Sequence, residues 1–551
     1  MRIDRRQALA LLGMGAAQPA LAQETGGKVR FEHGVASGDP TQDRVVLWTR
    51  ITPASPGRPV EYRWRLNPVD RRAGGAKQGT GVTGPERDYT VKVDVDGLDA
   101  GRAYTFEFEA EGVTSPMGRT RTLPAGGVKD VVLAVASCSL YPNGYFNAYQ
   151  AIADLPRVDA VLHLGDYIYE YGGPGSYGDD SAVAPLRRHD PYHEIVSFAD
   201  YRRRHAQYKS DPALQAAHAR APWIVVWDDH ETANDSFLNG AENHQPAEEG
   251  DWNARKAAAL KAYYEWMPIR EPAAGQDLAS AACRSFRFGD LAQLVMVETR
   301  LTARDQQLNL SRDLRDGPDG KPDVAAFKAR LNDPNRRMMG PAQEAWVGRE
   351  LAASVAAGHA WQVIGNQVVM ARADQPLRPA LTPDEAAKMT PQALSRMTRR
   401  DKAADLAVPA ALDMWDGYPA DRERLYGVFT QAKARPIVVS GDSHSFWANE
   451  LKDKDGRRVA AEFGTTGITS PGAGELAPGV DYGEVIARAN PEVLYNNQVA
   501  KGFVLLTLTR EQATAEMVAV STIVEKDFTA KALKRWVVTP DGTGPSAPKE
   551  A

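Results

Sequence analysis

Two hydrophobic textures divide the chain near residue 125. Before that point "RVVLWTRI" (44–51), "EYRWRL" (61–66), "YTVKVDV" (89–95) and "AYTFEFEAEG" (103–112) alternate apolar with polar positions, and Asp96-Gly97 and Ala100-Gly101 punctuate them. Short strands of period two at regular spacing predict a small all-β sandwich domain over residues 23–125. It gathers no cluster of ligand-type side chains, so its expected role is structural. After the turn Leu123-Pro124-Ala125-Gly126-Gly127 the strands become continuous apolar runs: "VVLAVAS", "AVLHLGD", "WIVVWDD", "LVMVET", "WQVIGN" and "PIVVSGD". Helical stretches such as 198–208 and 252–266 alternate with them. Runs of this kind belong to strands buried on both faces, so residues 126–551 read as an α/β domain of mixed sheets flanked by helices.

In such sheets ligands bind beyond the carboxyl ends of the strands. Those ends carry Cys138, Asp166, Asp228-Asp229-His230-Glu231, Asn366-Gln367, and Asp442 with His444. A single acidic strand end is explained by capping of the following helix. Four or five on one edge would repel one another and be costly to desolvate unless a cation joins them. Asp166 and Tyr169 lie three apart, so a turn aims both at one ion, and a phenolate suits a hard trivalent metal such as Fe(III). Asp442 and His444 lie two apart and reach one ion or two adjacent ones. His163 precedes its strand end and reads as a packed core histidine.

A chain of 551 residues exceeds one ordinary core, in keeping with two domains. Arg5-Arg6, a weakly apolar stretch over 8–17 and the small-residue site Ala20-Leu21-Ala22 read as a twin-arginine signal peptide, residues 1–22. The expected location is periplasmic or secreted, by way of the twin-arginine translocation machinery. Its removal takes away three arginines against one aspartate, moving the formal charge from −5 to −7. That balance gives no reason to expect nucleic acid or an anionic membrane as partner. No later stretch approaches the ~20 apolar residues of a membrane span. Two cysteines make no disulfide scaffold, and one Cys138–Cys283 bridge is the plain alternative to a ligand role for Cys138.

At this point the sequence resembles the PhoD-type alkaline phosphatases, a branch of the calcineurin-like metallophosphatases. The resemblance runs through "FEHGVASGDPTQDRVVLWTR", "ASCSLYPNGYFNAY", "LGDYIYEYG", "YRRRHAQYKSDPALQAAHARAPWIVVWDDHE", "AYYEWMPIR", "VIGNQV", "DMWDGY" and "SGDSHSFW". It implies an iron ion held by Cys138, Asp166, Tyr169 and His444. It implies neighbouring Ca²⁺ that shares Asp166 and takes Asp442 and a ligand from "DDHE", with Asp229 the first choice and Asn234 and Asn366 as further candidates. His230 resembles the histidine placed beside the phosphate, Arg270 is a candidate to neutralise a phosphate oxygen, and Asn143 a candidate substrate contact. The implied reaction is hydrolysis of small phosphate monoesters and diesters by a metal-bound oxygen, in a monomeric enzyme. A phospholipase D-like phosphodiesterase using the same site is one alternative, with loop 172–191 deciding. A non-catalytic calcium-binding surface protein is the other. Residues 528–536 read as a short amphipathic helix, either a candidate lid over the site or a surface helix packed on the sheet.

Overall fold

The computed structural model describes residues 29–70, 75–409, 411–476, 478–542 and 544–551. The expected signal peptide, 1–22, lies outside the described residues. The strands that matter here are β1 (Val35–Gly38), β2 (Val45–Arg50), β3 (Val60–Pro68), β4 (Lys77–Thr83), β5 (Thr90–Val95), β6 (Ala103–Ala110), β7 (Gly118–Arg121), β8 (Asp130–Ala136), β9 (Ala160–His163), β10 (Trp223–Val225), β11 (Arg284–Phe288), β12 (Ala292–Met296), β13 (Trp361–Gly365), β14 (Pro436–Ser440), β15 (Phe446–Lys452), β16 (Arg458–Gly464), β17 (Val493–Asn497), β18 (Lys501–Thr509), β19 (Ala513–Val520), β20 (Ala530–Val538) and β21 (Lys549–Glu550).

Two large sheets make up most of the fold. The first has the order β21-β20-β19-β18-β8-β9-β10-β1-β2-β5, and the second β11-β12-β13-β14-β16-β15-β17. Strands β8, β9 and β10 run parallel in the first sheet, as do β12, β13, β14 and β16 in the second. The apolar runs are continuous because alternate residues serve two cores. Leu294, Met296, Val363, Ile437 and Val439 pack into the core between the sheets. Their neighbours Val295, Val297, Ile364 and Val438 pack outward beneath α5 (Pro341–Ala356) and α6 (Pro419–Gln431). On the first sheet α1 (Asn147–Ala153) and α3 (Pro212–Arg220) cover the outer face, and α2 (Phe198–Lys209) and α4 (Trp252–Trp266) pack on each other beside it. The arrangement is the expected α/β sandwich of mixed sheets flanked by helices.

The N-terminal strands divide between two sheets. β7-β6-β3-β4 form a sheet of their own. β1, β2 and β5 instead extend the first large sheet, because β1 pairs parallel with β10 at Gly38 and Trp223. Val35, Leu47 and Val91 of that extension meet Leu66, Phe106 and Phe108 of the separate sheet. The expected sandwich therefore exists, but one of its layers is the edge of the first large sheet.

Residues 528–536, expected as a helix, form most of strand β20, paired antiparallel with β19 from Ala513–Val538 to Val520–Ala530. The helix-forming residues Ala530, Lys531, Leu533, Lys534 and Arg535 suggest a helix locally, but pairing with β19 overrides propensity. There is accordingly no helical lid at this position.

Where α2 meets the N-terminal extension, Lys209 is buried at 1% exposure. Its Nζ lies 3.2 Å from His218 Nε2 and 4.3 Å from the Trp48 ring centroid. None of its hydrogen bonds or ion pairs among the described residues is to a carboxylate. The neighbouring His205 is fully buried and has no hydrogen-bond partner on either ring nitrogen. Burial pushes the Lys209 pKa well below that of an ordinary lysine, with Lys92 adding to it.

Candidate metal centre

Each functional strand ends in an abrupt turn. Cys138 (φ 60°), Asp166 (φ 55°), Asp442 (φ 62°) and His444 (φ 56°) all adopt the left-handed region that L-residues avoid. Such backbone costs on the order of 1–3 kcal/mol per residue, so it persists only where surrounding bonds enforce it. Here Cys138 N–H donates to Gly165 O (3.2 Å) and Ser139 N–H to Asp166 O (2.9 Å), binding the first two turns together. Gly165 (φ 113°) has to be glycine, since a Cβ there would lie 2.3 Å from Asp228 Cβ. The glycine lets the ends of β9 and β10 approach.

The turns bring together Cys138, Asp166 and His444; Asp166, Asp229 and His230; and Asp228, Asp229 and Asp442, with the ligand-type atoms of each group within 4.8 Å of one another. Tyr169 joins the first group: its hydroxyl donates to Asp166 Oδ2 (3.1 Å), lies 3.4 Å from His444 Nε2 and 2.7 Å from Ser470 Oγ. Asp166 is thus shared between two groups. His444 Nδ1 faces the Pro471 carbonyl at 2.9 Å, which only accepts, so Nδ1 carries the proton and Nε2 presents a lone pair to the cluster. Burial pushes the His444 pKa down to about 3, keeping it neutral.

The charge balance calls for cations. Burial, reinforced by Asp166, pushes the Cys138 thiol well above its ordinary value. Burial likewise raises Tyr169 and Asp166, and Asp442 rises through burial and its neighbour Asp228. Asp166 Oδ1, Asp228 Oδ2 and Asp229 Oδ1 are buried without a hydrogen-bond partner. A thiol, a phenol, a lone-pair imidazole and orphaned carboxylate oxygens are a donor set for metal ions, and the residues present fit them.

Two carboxylates organise the site without belonging to the three groups. Glu231 accepts from the N–H groups of Asp166 (3.0 Å), Tyr167 (2.7 Å) and Asp228 (2.9 Å), tying the ends of β9 and β10 to each other. Glu170 accepts from His230 Nδ1 (2.7 Å) and from Asn234 N–H (2.7 Å). Burial works against a charged His230, but Glu170, Asp229 and Asp166 outweigh it and hold its pKa well above the usual histidine value. Both glutamates stand inside the motifs quoted above, and their inward direction is set by the turn rather than by spacing.

Other expected site residues lie elsewhere. Arg270 pairs with Asp94 (2.9 Å) and donates to the carbonyl of Asp39 (3.0 Å), at the junction with the N-terminal strands. The arginine among the acidic groups is Arg300, within ion-pair distance of Asp228, Asp229, Asp413 and Asp442. Arg270→Ala is therefore expected to leave kcat/KM for a phosphate ester within about twofold of wild type, since its partly exposed ion pair is worth about 1 kcal/mol at most; a steady-state assay checks this. Asn143 donates to Thr469 O (2.5 Å), Asn234 to Glu242 (3.0 Å) and Asn366 to Val368 O, so these amides are turned to protein partners. Both cysteines are free, which sets the Cys138–Cys283 bridge aside. Loop 172–191 does approach the site, with Tyr177 stacked on His444 at 6.4 Å between ring centroids.

Residues 133–517 match the family model described as PhoD-like phosphatase, and residues 16–124 match that of the PhoD-like phosphatase N-terminal domain. The chain belongs to the PhoD-like phosphatase family. It is 34% identical over 527 residues to alkaline phosphatase D of Bacillus subtilis (strain 168), covering 93% of this chain and 82% of that one. A solved structure described as the structure of PhoD superposes with a TM-score of 0.76 at 32% identity, covering 95% of this chain and 92% of the other. As a PhoD-like phosphatase the chain is a phosphoric ester hydrolase, and membership implies metal dependence, which sets aside a non-catalytic calcium-binding protein. Among the described residues no helix is long and apolar enough to cross a membrane.

Proposed function

We propose that this PhoD-like phosphatase is an exported alkaline phosphatase acting on phosphate monoesters and diesters, with Fe(III) held by Cys138, Asp166, Tyr169 and His444 and Ca²⁺ by Asp166, Asp229 and Asp442. The reading is carried by the meeting of thiol, phenol and lone-pair imidazole around the shared carboxylate of Asp166. Export is supported by Arg5-Arg6 and the site Ala20-Leu21-Ala22. Bound ions would supply Lewis acidity toward the phosphate and lower the pKa of water.

The chain's own part is positioning and proton transfer. With Nδ1 committed to Glu170, His230 keeps Nε2 for the cluster, where it donates a proton to the leaving-group oxygen. Tyr171 and Tyr169 lie against the His230 ring at 5.2 and 4.2 Å between centroids and fix its plane. The three serines beside the ligands are turn-formers rather than phosphate carriers. Ser139 Oγ donates to Tyr167 O (3.0 Å), Ser443 Oγ accepts from the Trp447 indole (2.7 Å), and Ser137 Oγ accepts from the Cys138 thiol (3.2 Å).

Protein purified through its export route is expected to contain iron and calcium, to show a visible phenolate-to-iron band, and to hydrolyse both an aryl monoester and an aryl diester. Chelation should remove metal and both activities together. Full activity after stoichiometric loss of metal would overturn the reading.

A further inference from the structure

Asp228, Asp229 and Asp442 come from two different sheets and would repel one another as free carboxylates, yet the fold holds them side by side. The side chain among them is Arg300, whose side chain is 0% exposed. It stands at the end of the chain segment that follows β12. Glu298 fixes its backbone by accepting from the N–H groups of Arg300 (2.9 Å), Leu301 (2.7 Å) and Thr302 (2.9 Å), and from the Trp227 indole (3.0 Å). The guanidinium donates through Nε to Asp228 Oδ1, and through Nη1 to both oxygens of Asp413 at 2.9 Å. Its Nη2 lies 3.3 Å from Asp442 Oδ1 and 3.6 Å from Asp229 Oδ1. Arg304 holds Asp413 as well, donating to its carbonyl at 2.6 Å.

A planar fork of five donors meets several carboxylates in fixed directions, which a compact ammonium does not. Asp228 and Asp229 follow β10 of the first sheet, whereas Asp442 follows β14 of the second, to which Arg300 also belongs. We propose that Arg300 is a positioning residue: it holds the ligand loops of the two sheets in register for ion capture, with Asp413 as its outer anchor. Being fully buried, it acts on the carboxylates and not on substrate. What the register serves rests on the metal-dependent reading above.

The test uses the full chain with Arg300→Lys, which keeps the charge and loses the fork, and Asp413→Asn, which keeps Arg300 and weakens its anchor. Backbone hydrogen exchange is measured on chelated protein, and Ca²⁺ affinity by chelator competition. Arg300→Lys is expected to speed exchange at residues 228–235 and 441–445 about tenfold or more while β8 and β13 stay protected, and to weaken Ca²⁺ binding about 10- to 100-fold. Asp413→Asn should move both in the same direction by less, and it carries the test if the lysine variant does not fold. Unchanged exchange in both segments would overturn the proposal. Faster exchange with wild-type Ca²⁺ affinity would overturn its link to ion capture. Wild-type protein that binds no metal would overturn the metallophosphatase reading, while the exchange data would still decide whether Arg300 holds the loops.

Discussion

Asp166→Asn is expected to empty both halves of the metal centre and to lower kcat by a factor on the order of 10³, about 4 kcal/mol of lost transition-state stabilisation. The residue is shared between the group with Cys138 and His444 and the group with Asp229 and His230. Its Oδ2 accepts from Tyr169 and its Oδ1 has no protein partner. Asparagine matches its size and is among the residues best able to tolerate a φ of 55°. Glu231 binds the backbone N–H at this position, which the substitution retains. The loss should therefore be chemical, with thermal unfolding close to wild type in the metal-free state. Metal content and kcat on one sample check it, and a fully metallated, fully active Asp166→Asn enzyme would show that this carboxylate is not shared.

Lys209→Met is expected to make the protein more stable, against the usual direction of core substitutions. The side-chain nitrogen is buried, its neighbours are Trp48, Tyr167 and His218, and Lys92 adds to burial in disfavouring its charged form. Methionine keeps the apolar stem and removes the amine, a gain of about 1–3 kcal/mol near neutral pH. The sign follows from linkage. The folded pKa is depressed, so between it and the ordinary value the unfolded chain binds a proton that the folded chain does not. Wild-type stability is then lost as pH falls from above 10.5 toward the depressed value, and the advantage of Lys209→Met should grow over that window and shrink above it. Melting curves from pH 7 to 11 test this, and a gain that does not depend on pH would rule out the amine as its cause.

How much of this was legible in the sequence depends on the range of the interaction. The meeting of Cys138, Asp166, Tyr169, Asp229, His230, Asp442 and His444 at one edge was readable because strand ends mark a sheet edge whatever its topology. Arg300 was not: the apolar run "LVMVET" stops one residue before it, and an arginine after a strand looks like a surface residue until its carboxylate partners arrive from β10, β14 and the loop of Asp413. Arg270 followed a motif and met Asp94 instead. Period-two alternation identified the N-terminal strands but carried no information that β1 would join β10. Residues 528–536 were misread for a related reason, since their lysines, alanines and leucine favour a helix until β19 supplies a pairing edge.

The strand that presents the thiol also sets the order of assembly. β8 has β9 as a near neighbour on one side, but its other edge is closed by β18, where Val135 faces Val504. During synthesis the backbone N–H and C=O groups on that edge of β8 therefore stay unpaired until Lys501–Thr509, in the last tenth of the chain, has emerged. Pairings of such wide sequence separation form late and slowly. Cys138 consequently reaches its final geometry after nearly all of the polypeptide has been made, when carboxylate, phenol and imidazole are already present to receive an ion beside it.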